Sequence, residues 1–158
     1  MIDQIENKLI SSIRTAHELY YRLVLLVGKC GTGKTPVIKN LAKLYEVEPI
    51  NINLCLSKGL LELTEKQKQL KLAEILAKAV NGKGDIVFLD NIEILFDAEL
   101  KQDPLRLLKK LSRNHTVVTS WNGIFEKEKL IYAEPEHSEY RNYHLTDTPV
   151  VSMGDATT

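Results

Sequence analysis

Apolar residues follow two patterns in this chain, one with helical spacing and one in short continuous runs. The helical pattern opens the chain, at Ile2, Ile5, Leu9, Ile13 and Ala16. It predicts an amphipathic helix at about residues 3–20 whose apolar side packs on a core. The runs at 22–27, 85–90 and 116–120 are too short for buried helices, so they predict buried strands.

Helical and strand patterns alternate through the rest of the chain. Thr64 followed by Gln67 is a capping-box signature for a helix that ends at Asn81-Gly82, and Asp103-Pro104 begins another helix that runs to about Ser112. Further strands are predicted at 49–54 and 130–133, with a turn at 57–59. This alternation predicts a three-layer α/β fold with a mostly parallel five-stranded sheet.

The amount of apolar sequence sets the predicted domain limits. Residues 1–146 are predicted to form a single domain, since 158 residues suit one core. Residues 147–158 have little apolar content and are predicted to be a flexible tail.

A glycine-rich segment directly follows the first predicted strand. Residues 28–35 read Gly-Lys-Cys-Gly-Thr-Gly-Lys-Thr, which matches G-x-x-x-x-G-K-[ST]. Glycines at 28, 31 and 33 allow a loop to wrap phosphates with its backbone N–H groups, and the following helix directs its positive end at the anion. The full loop is predicted to bind a nucleoside triphosphate through Gly28, Lys29, Cys30, Gly31, Thr32, Gly33, Lys34 and Thr35.

Two side chains of this loop and one distant carboxylate predict a place for Mg²⁺. Lys34 is a cation that reaches the outer phosphates, and the Thr35 hydroxyl is a Mg²⁺ ligand in such loops. Asp90 closes the strand at 85–90, where P-loop enzymes place the carboxylate of the metal site. The predicted metal residues are therefore Thr35 and Asp90, and the predicted cofactors are ATP and Mg²⁺. No Asn-Lys-x-Asp sequence occurs, which favours ATP over GTP.

Hydrolysis also needs a group that orients the attacking water. The position after Asp90 is Asn91, whose amide can accept a hydrogen bond from water but cannot take its proton. Either Glu93, the best local candidate, or a partner protein supplies the base, or hydrolysis is slow. Ser120 and Asn122 end the fourth predicted strand, where one of them would touch the γ-phosphate or its water. An exposed Glu93 and a polar turn at 121–123 are the structural alternatives.

Composition narrows the classes of function. Acidic and basic residues balance at 21 each, so no net positive charge draws the chain to nucleic acid or to a membrane. No apolar run approaches the roughly 18 residues of a membrane span, and the first residues lack a signal-peptide pattern, so a cytoplasmic location is predicted. The two cysteines and four histidines show no metal-site spacing.

With these motifs the chain resembles the AAA-like, additional-strand class of P-loop ATPases. It also resembles a small family in that class, the BrxF proteins of type 3 BREX bacteriophage-exclusion systems. The resemblance rests on residues 26–35, on 87–93 and on the segment 132–140. It implies a nucleotide-dependent component of a bacterial anti-phage complex, with other defence proteins and further copies of the chain as partners. Only about 25 residues follow the fifth predicted strand, so a C-terminal lid domain is predicted to be absent.

The same class implies an arginine that completes the site. The five arginines do not include one between the fourth and fifth predicted strands, where an AAA-type finger is expected. Such an arginine would come across an interface, from Arg106, Arg113 or Arg141, or from another protein.

Three alternative functions stay open at this stage. A small nucleotide or metabolite kinase needs several arginines over its cleft, and the region between Lys39 and Lys101 has none. Asn91 favours a nucleotide-gated binding module with little hydrolysis. DNA contact would use cations at 101–113 and rings at 137–144, but the zero net charge favours a solvated helix face.

Overall fold

The described part of the protein, in a computed structural model, is residues 2–133 and 136–153. Its helices are α1 (Ile2–Ala16), α2 (Lys34–Leu44), α3 (Ile52–Leu60), α4 (Glu65–Val80) and α5 (Pro104–Leu111), with short 3-10 helices at Glu93–Phe96 and Ala98–Leu100. Its strands are β1 (Leu23–Gly28), β2 (Ile50–Asn51), β3 (Ile86–Asp90), β4 (Thr116–Asn122), β5 (Ile124–Glu126), β6 (Lys129–Tyr132), β7 (Arg141–His144) and β8 (Val150–Ser152).

Five strands form the main sheet in the order β2-β3-β4-β1-β8, and every neighbouring pair is parallel. The predicted α/β fold with a five-stranded parallel sheet is confirmed. Strand β4 lies between β1 and β3, so the strand that follows the Asp90 strand in sequence is inserted beside the loop strand. Gly28 pairs in register with Asn122, and Leu89 pairs with Thr119. The strand ends that carry the predicted site therefore lie side by side.

Strand β1 is apolar throughout because helices cover both faces of the sheet. Leu23, Leu25 and Val27 belong to the core beneath α3, α4 and α5. Val24 and Leu26 belong to the core beneath α1 and α2. All five are at most 1% exposed, and each buried side chain of this kind contributes about 1.5–3 kcal/mol to folding. Packing on both faces holds β1 in place and therefore positions the loop that follows it.

Side-chain caps begin the helices on one face of the sheet. The Thr64 hydroxyl accepts from the Gln67 N–H at 3.2 Å, and the Gln67 side chain accepts from the Thr64 N–H at 3.0 Å. The predicted capping box is thus confirmed. Asp103 caps α5 by accepting from the Arg106 N–H at 3.2 Å, and Pro104 is the first residue of that helix.

The predicted strand at 49–54 is wrong after Asn51, and the predicted turn at 57–59 lies inside α3. Only Ile50 and Asn51 pair with β3. The Asn51 side chain then accepts from the Leu54 N–H at 3.0 Å and starts the helix. Asparagine is a strong N-cap, and this cap outweighs the alternating pattern that resembled a strand.

The predicted fifth strand of the main sheet at 130–133 is also wrong, because β6 belongs to a separate antiparallel sheet of order β5-β6-β7. Lys127 and Glu128 form a two-residue hairpin turn and both have positive φ, 51° and 63°. Positive φ at both positions is typical of the turn that joins tight hairpins. A Cβ on Gly123 would lie 1.9 Å from the Ile131 carbonyl oxygen, so only glycine permits this close approach.

The fifth strand of the main sheet is β8, which pairs with β1 through Leu26 and Val151. The prediction of a flexible tail from residue 147 is therefore wrong for 150–152. Val151 is 3% exposed and packs in the core beside α1. This burial stabilises a strand of only three residues. The rest of that prediction, at 154–158, and residues 134–135 of the segment behind the BrxF resemblance lie outside the described residues.

The described residues after β4 form strands and turns and contain no helical lid. Within the same residues, no helix combines the length and apolar character needed to cross a bilayer.

Candidate functional site

The glycine-rich loop lies between the end of β1 at Gly28 and the start of α2 at Lys34. Gly33 is the N-cap of α2, with a φ of 95° that favours glycine. Within the loop, the Thr32 hydroxyl donates to the Lys29 carbonyl at 2.7 Å. Residues 29–33 are exposed to solvent, so the loop is open to a phosphate chain.

Lys34 is buried under the loop that it follows. Its ammonium donates to the carbonyl oxygens of Gly28 at 2.7 Å and Lys29 at 2.8 Å. Burial lowers the pKa of Lys34, and the nearby acidic groups of Cys30, Glu93 and Asp90 oppose that shift. The ammonium therefore lies where the loop and the carboxylates of the cleft converge.

Asp90 joins the loop helix to the central strands. It is 8% exposed, and its Oδ2 accepts from the Thr35 hydroxyl at 2.7 Å. Its Oδ1 accepts from the Ser120 hydroxyl at 2.6 Å and from the Asn91 N–H at 2.9 Å. The structure thus brings the two predicted metal residues together and adds Ser120 to them.

This donor set fits a magnesium ion. Mg²⁺ in nucleotide sites takes one or two carboxylates together with phosphate oxygens and several waters. Asp90 at the end of β3 would supply the carboxylate, and Thr35 in the first turn of α2 would supply the hydroxyl. The described residues contain no cluster of three or more His, Cys, Asp or Glu side chains that would hold an ion without a phosphate.

Glu93 lies one turn beyond Asp90 and is held by two amides. Its Oε1 accepts from Asn53 Nδ2 at 3.1 Å, and its Oε2 accepts from Asn122 Nδ2 at 3.0 Å. Asn53 Oδ1 also accepts from the Ile94 N–H at 2.8 Å. Glu93 is therefore a positioned carboxylate at the edge of the cleft, with each oxygen occupied by a neutral donor.

Asn53 is the residue that the sequence analysis did not include in the site. The alternating asparagines of residues 49–54 were the available signal, because polar residues at the end of a strand face the ligand edge of such a sheet. The signal was obscured because the strand pattern placed Asn53 in β2, whereas it lies in the first turn of α3.

Asn91 contributes to the site through its backbone. It has a φ of 53°, a left-handed conformation that asparagine tolerates better than most residues. Its N–H donates to Asp90 and its carbonyl accepts from the Asn53 N–H at 2.8 Å. This turn carries the chain from Asp90 toward Glu93, and it places the two carboxylates on the same cleft.

A cavity of about 480 Å³ opens beside the loop. Lys29 and Cys30 line one side, Asn122 lines the base, and Tyr132 and Tyr140 line the small sheet's side. Tyr132 stacks on Phe96 with ring centroids 3.6 Å apart. Burial, with smaller contributions from the charges of Glu93 and Glu139, raises the pKa of Tyr132 to about 12.

A family model described as "ATPase family associated with various cellular activities (AAA)" matches residues 24–120. This span runs from the loop strand into β4 and includes the loop, Asp90, Glu93 and Ser120. The chain belongs to the AAA family. It is thus an AAA-type ATPase domain, a class that binds and hydrolyses nucleotide.

Three solved structures are similar to this chain over most of its length. AMPPCP-bound DnaA from Aquifex aeolicus is 14% identical with a TM-score of 0.47, and covers 92% of this chain and 43% of its own. PCH-2 from C. elegans is 19% identical with a TM-score of 0.49, covering 97% of this chain and 42% of its own. Drosophila ORC bound to DNA is 22% identical with a TM-score of 0.48, covering 93% and 41%.

This AAA domain spans less than half the length of those structures. No curated protein matches the chain. What this AAA domain acts on is therefore inferred from its own residues.

Proposed function

We propose that this AAA domain binds Mg-ATP, hydrolyses it slowly, and uses its nucleotide state to control a bacterial anti-phage complex in the cytoplasm. The observation that supports it most strongly is the pair of carboxylates in one cleft. Asp90 is bonded to the hydroxyls of Thr35 and Ser120, while Glu93 is bonded to the amides of Asn53 and Asn122.

In this proposal the loop and the first carboxylate hold the substrate. Backbone N–H groups of residues 28–35 and the start of α2 bind the phosphates. Lys34 leaves the carbonyl oxygens of Gly28 and Lys29 for the outer phosphates, which are better partners for an ammonium. Thr35 and Asp90 hold Mg²⁺, which neutralises phosphate charge when bound.

The second carboxylate acts on water. Each carboxylate oxygen of Glu93 accepts one amide hydrogen bond and keeps a lone pair that can take a proton from water. The amide of Asn122 holds the carboxylate beside the end of β4. Asn122 is also close enough to the cleft to donate to a phosphate oxygen. Asn91 cannot take a proton from water. Its role in this proposal is to form the backbone turn between Asp90 and Glu93.

A second protein completes the site in this proposal. Among the described residues, no arginine hydrogen-bonds to Asp90 or Glu93. Arg141, the arginine of the small sheet, donates to the backbone carbonyls of Tyr140 and Gln102. Arginines supplied in trans raise turnover by about 10³–10⁵ in P-loop enzymes, so we expect the isolated chain to be slow. The partner is another copy of the chain or another protein of the complex.

The test is Mg-ATP hydrolysis measured over a range of protein concentrations, together with calorimetric ATP binding. Lys34→Ala should abolish binding and turnover, because the outer phosphates lose the cation that the loop supplies. Lys39→Ala removes an exposed cation from the same helix and should change neither. Unchanged ATP affinity in Lys34→Ala would refute the assignment.

The concentration dependence separates the alternatives. Turnover that rises with protein concentration indicates self-assembly. Tight binding without turnover at any concentration supports the nucleotide-gated module, for which Asn91 is the reason. Phosphate transfer to a small acceptor rather than to water would instead establish a kinase.

The defence role rests on the BrxF resemblance and is tested separately. In bacteria that carry the complete defence system, replacing the gene by its Lys34→Ala form should restore phage plaques, whereas Lys39→Ala should not. Full protection by Lys34→Ala would contradict a nucleotide-dependent role in defence and leave the ATPase assignment intact.

A further inference from the structure

The outer face of α5 carries cations that the nucleotide site does not use. Pro104, Leu105, Leu107 and Leu108 are buried against the sheet, which turns Arg106, Lys109 and Lys110 toward solvent. Arg113 follows directly after the helix and is exposed. These four cations line a depression of about 550 Å³, named here the α5 groove.

Two tyrosines from a distant part of the chain form the other wall of the α5 groove. Tyr20 and Tyr21 pack edge to face with ring centroids 4.8 Å apart. The Arg113 guanidinium lies 3.6 Å from the Tyr20 ring centroid and donates to the Tyr20 carbonyl at 2.7 Å. The Lys109 ammonium lies 5.5 Å from the centroid of Tyr21. Cations and rings are therefore interleaved along one surface.

The cations of the α5 groove are available to an external anion. Across residues 2–133 and 136–153 the one ion pair within 4 Å joins Lys78 and Glu74. Asp103 also lines the groove, but it caps α5 and its Oδ1 accepts from the Tyr143 hydroxyl at 2.8 Å. The lining thus carries four fixed positive charges against one carboxylate that already has two donors.

The rings are available as well. Tyr20 is 66% exposed although Arg113 covers one of its faces. The other face of the Tyr20 ring is open to solvent, and a nucleobase can stack on such a face. A purely electrostatic surface for an acidic protein has no need of a solvent-facing ring.

We propose that the α5 groove binds single-stranded nucleic acid, with its backbone along the four cations and a base stacked on Tyr20. Grooves that join a basic track to aromatic platforms bind single strands with little sequence preference. The zero net charge of the chain confines the attraction to this surface. The tyrosines of the groove lie where β1 and β4 begin, whereas the glycine-rich loop follows the end of β1. The two sites therefore lie at opposite ends of these strands.

The test uses the whole chain and a fluorescein-labelled oligodeoxythymidylate of about 15 nucleotides, within the usual range of single-strand site sizes. Binding followed by anisotropy should weaken with salt at a logarithmic slope of about −3, as four phosphate contacts require. A slope near zero, or no binding at low salt, would overturn the proposal.

Paired variants separate the groove from general charge. Lys109→Gln with Lys110→Gln should raise Kd about tenfold or more and reduce the slope by about 1.4. Lys39→Gln with Lys43→Gln removes the same charge from exposed positions on α2, on the other face of the sheet, and should have little effect. Equal weakening by both pairs would contradict a groove site.

Substitutions at Tyr20 test the stacking step. Tyr20→Leu should raise Kd about fivefold or more, since one stacked base is lost, whereas Tyr20→Phe keeps the ring and should bind normally. Tyr20→Leu binding as tightly as the wild type, or displacement of the oligonucleotide by polyglutamate or a duplex at equal concentration, would overturn the single-strand assignment.

This inference stands apart from the proposed function. Lys34→Ala should lose ATP and keep the oligonucleotide. Circular dichroism and ATP affinity of each groove variant check that its fold is retained. Retention is expected because Tyr20 and Lys110 are exposed and Lys109 is half-buried.

Discussion

Asp90 and Glu93 are two carboxylates three residues apart, and the fold gives them different partners. Asp90 ends β3, is buried, and is bonded to the hydroxyls of Thr35 and Ser120. Glu93 begins a 3-10 helix, is half-buried, and is bonded to the amides of Asn53 and Asn122.

The chemistry of those partners separates the two carboxylates. A hydroxyl can turn and become an acceptor, so Thr35 and Ser120 can stay in place when Asp90 takes a cation. An amide NH₂ group only donates, so Asn53 and Asn122 hold Glu93 as an acceptor in a fixed direction. The first arrangement suits a metal ligand and the second suits a base.

The largest expected effect is the contrast between Glu93→Gln and Asp90→Asn. Glu93→Gln should lower turnover by about 10²–10⁴, the usual contribution of a general base, and leave ATP affinity nearly unchanged. Asp90→Asn should remove the Mg²⁺-dependent part of ATP affinity. Phosphate release and calorimetry with and without Mg²⁺ measure both, and the same phenotype in both variants would contradict the division.

The two amides should differ from each other. Loss of a hydrogen bond to a charged group costs about 1.5–3 kcal/mol, so Asn53→Ala and Asn122→Ala should each lower turnover about tenfold or more. Asn53 also accepts from the Ile94 N–H, so Asn53→Ala should lower the thermal midpoint more than Asn122→Ala. Equal midpoints would show that the Ile94 contact contributes little.

The loop offers a chemical test of nucleotide placement. Cys30 is exposed and Cys55 is half-buried in α3, so mass spectrometry can follow alkylation of each thiol separately. Mg-ATP should slow labelling of Cys30 several-fold in the wild type and in Glu93→Gln, but not in Lys34→Ala. Cys55 is the internal control, and equal Cys30 labelling with and without nucleotide would place the phosphates elsewhere.

The smallest expected effect concerns Tyr132, which stacks on Phe96 next to the cavity. Its pKa of about 12 lies above the ordinary value of 10.0, so the folded state holds the proton more tightly than the unfolded state. The free energy of unfolding should therefore fall as the pH rises from about 10 to about 12. Denaturant titrations of Tyr132→Phe, which keeps the stack, should show a weaker fall across that interval.

The sequence predicted the strand-loop-helix unit well because each step has a local cause. The motif at 28–35, the apolar strands and the Thr64 cap depend on neighbouring residues alone. The missed strand β8 depends on a distant part of the chain. Nothing near Val151 in the sequence reveals that β1 has a free edge for it. A second error was local: the Asp103 cap was recognised, but the Asn51 cap was missed because Asn51 stands in a strand-like alternation of apolar and polar residues.

The site was predicted to a similar extent. Residues Thr35, Asp90, Glu93, Ser120 and Asn122 do meet in one cleft, although their roles remain predictions. The pairing of Asn53 with Glu93 depends on how α3 packs over the end of β3, and that geometry is set by the core beneath both elements rather than by either segment.

The only tryptophan of the chain, Trp121, lies between the main sheet and the small sheet. Trp121 stands between Ser120 and Asn122 in β4, is fully buried, and its indole N–H donates to the Ile131 carbonyl of the small sheet at 3.2 Å. It also meets the rings of Phe96, Tyr132 and Tyr143 edge to face. Tryptophan fluorescence of this chain therefore has a single source. A nucleotide-linked shift between β4 and the small sheet should change the wavelength and intensity of that emission without an added label.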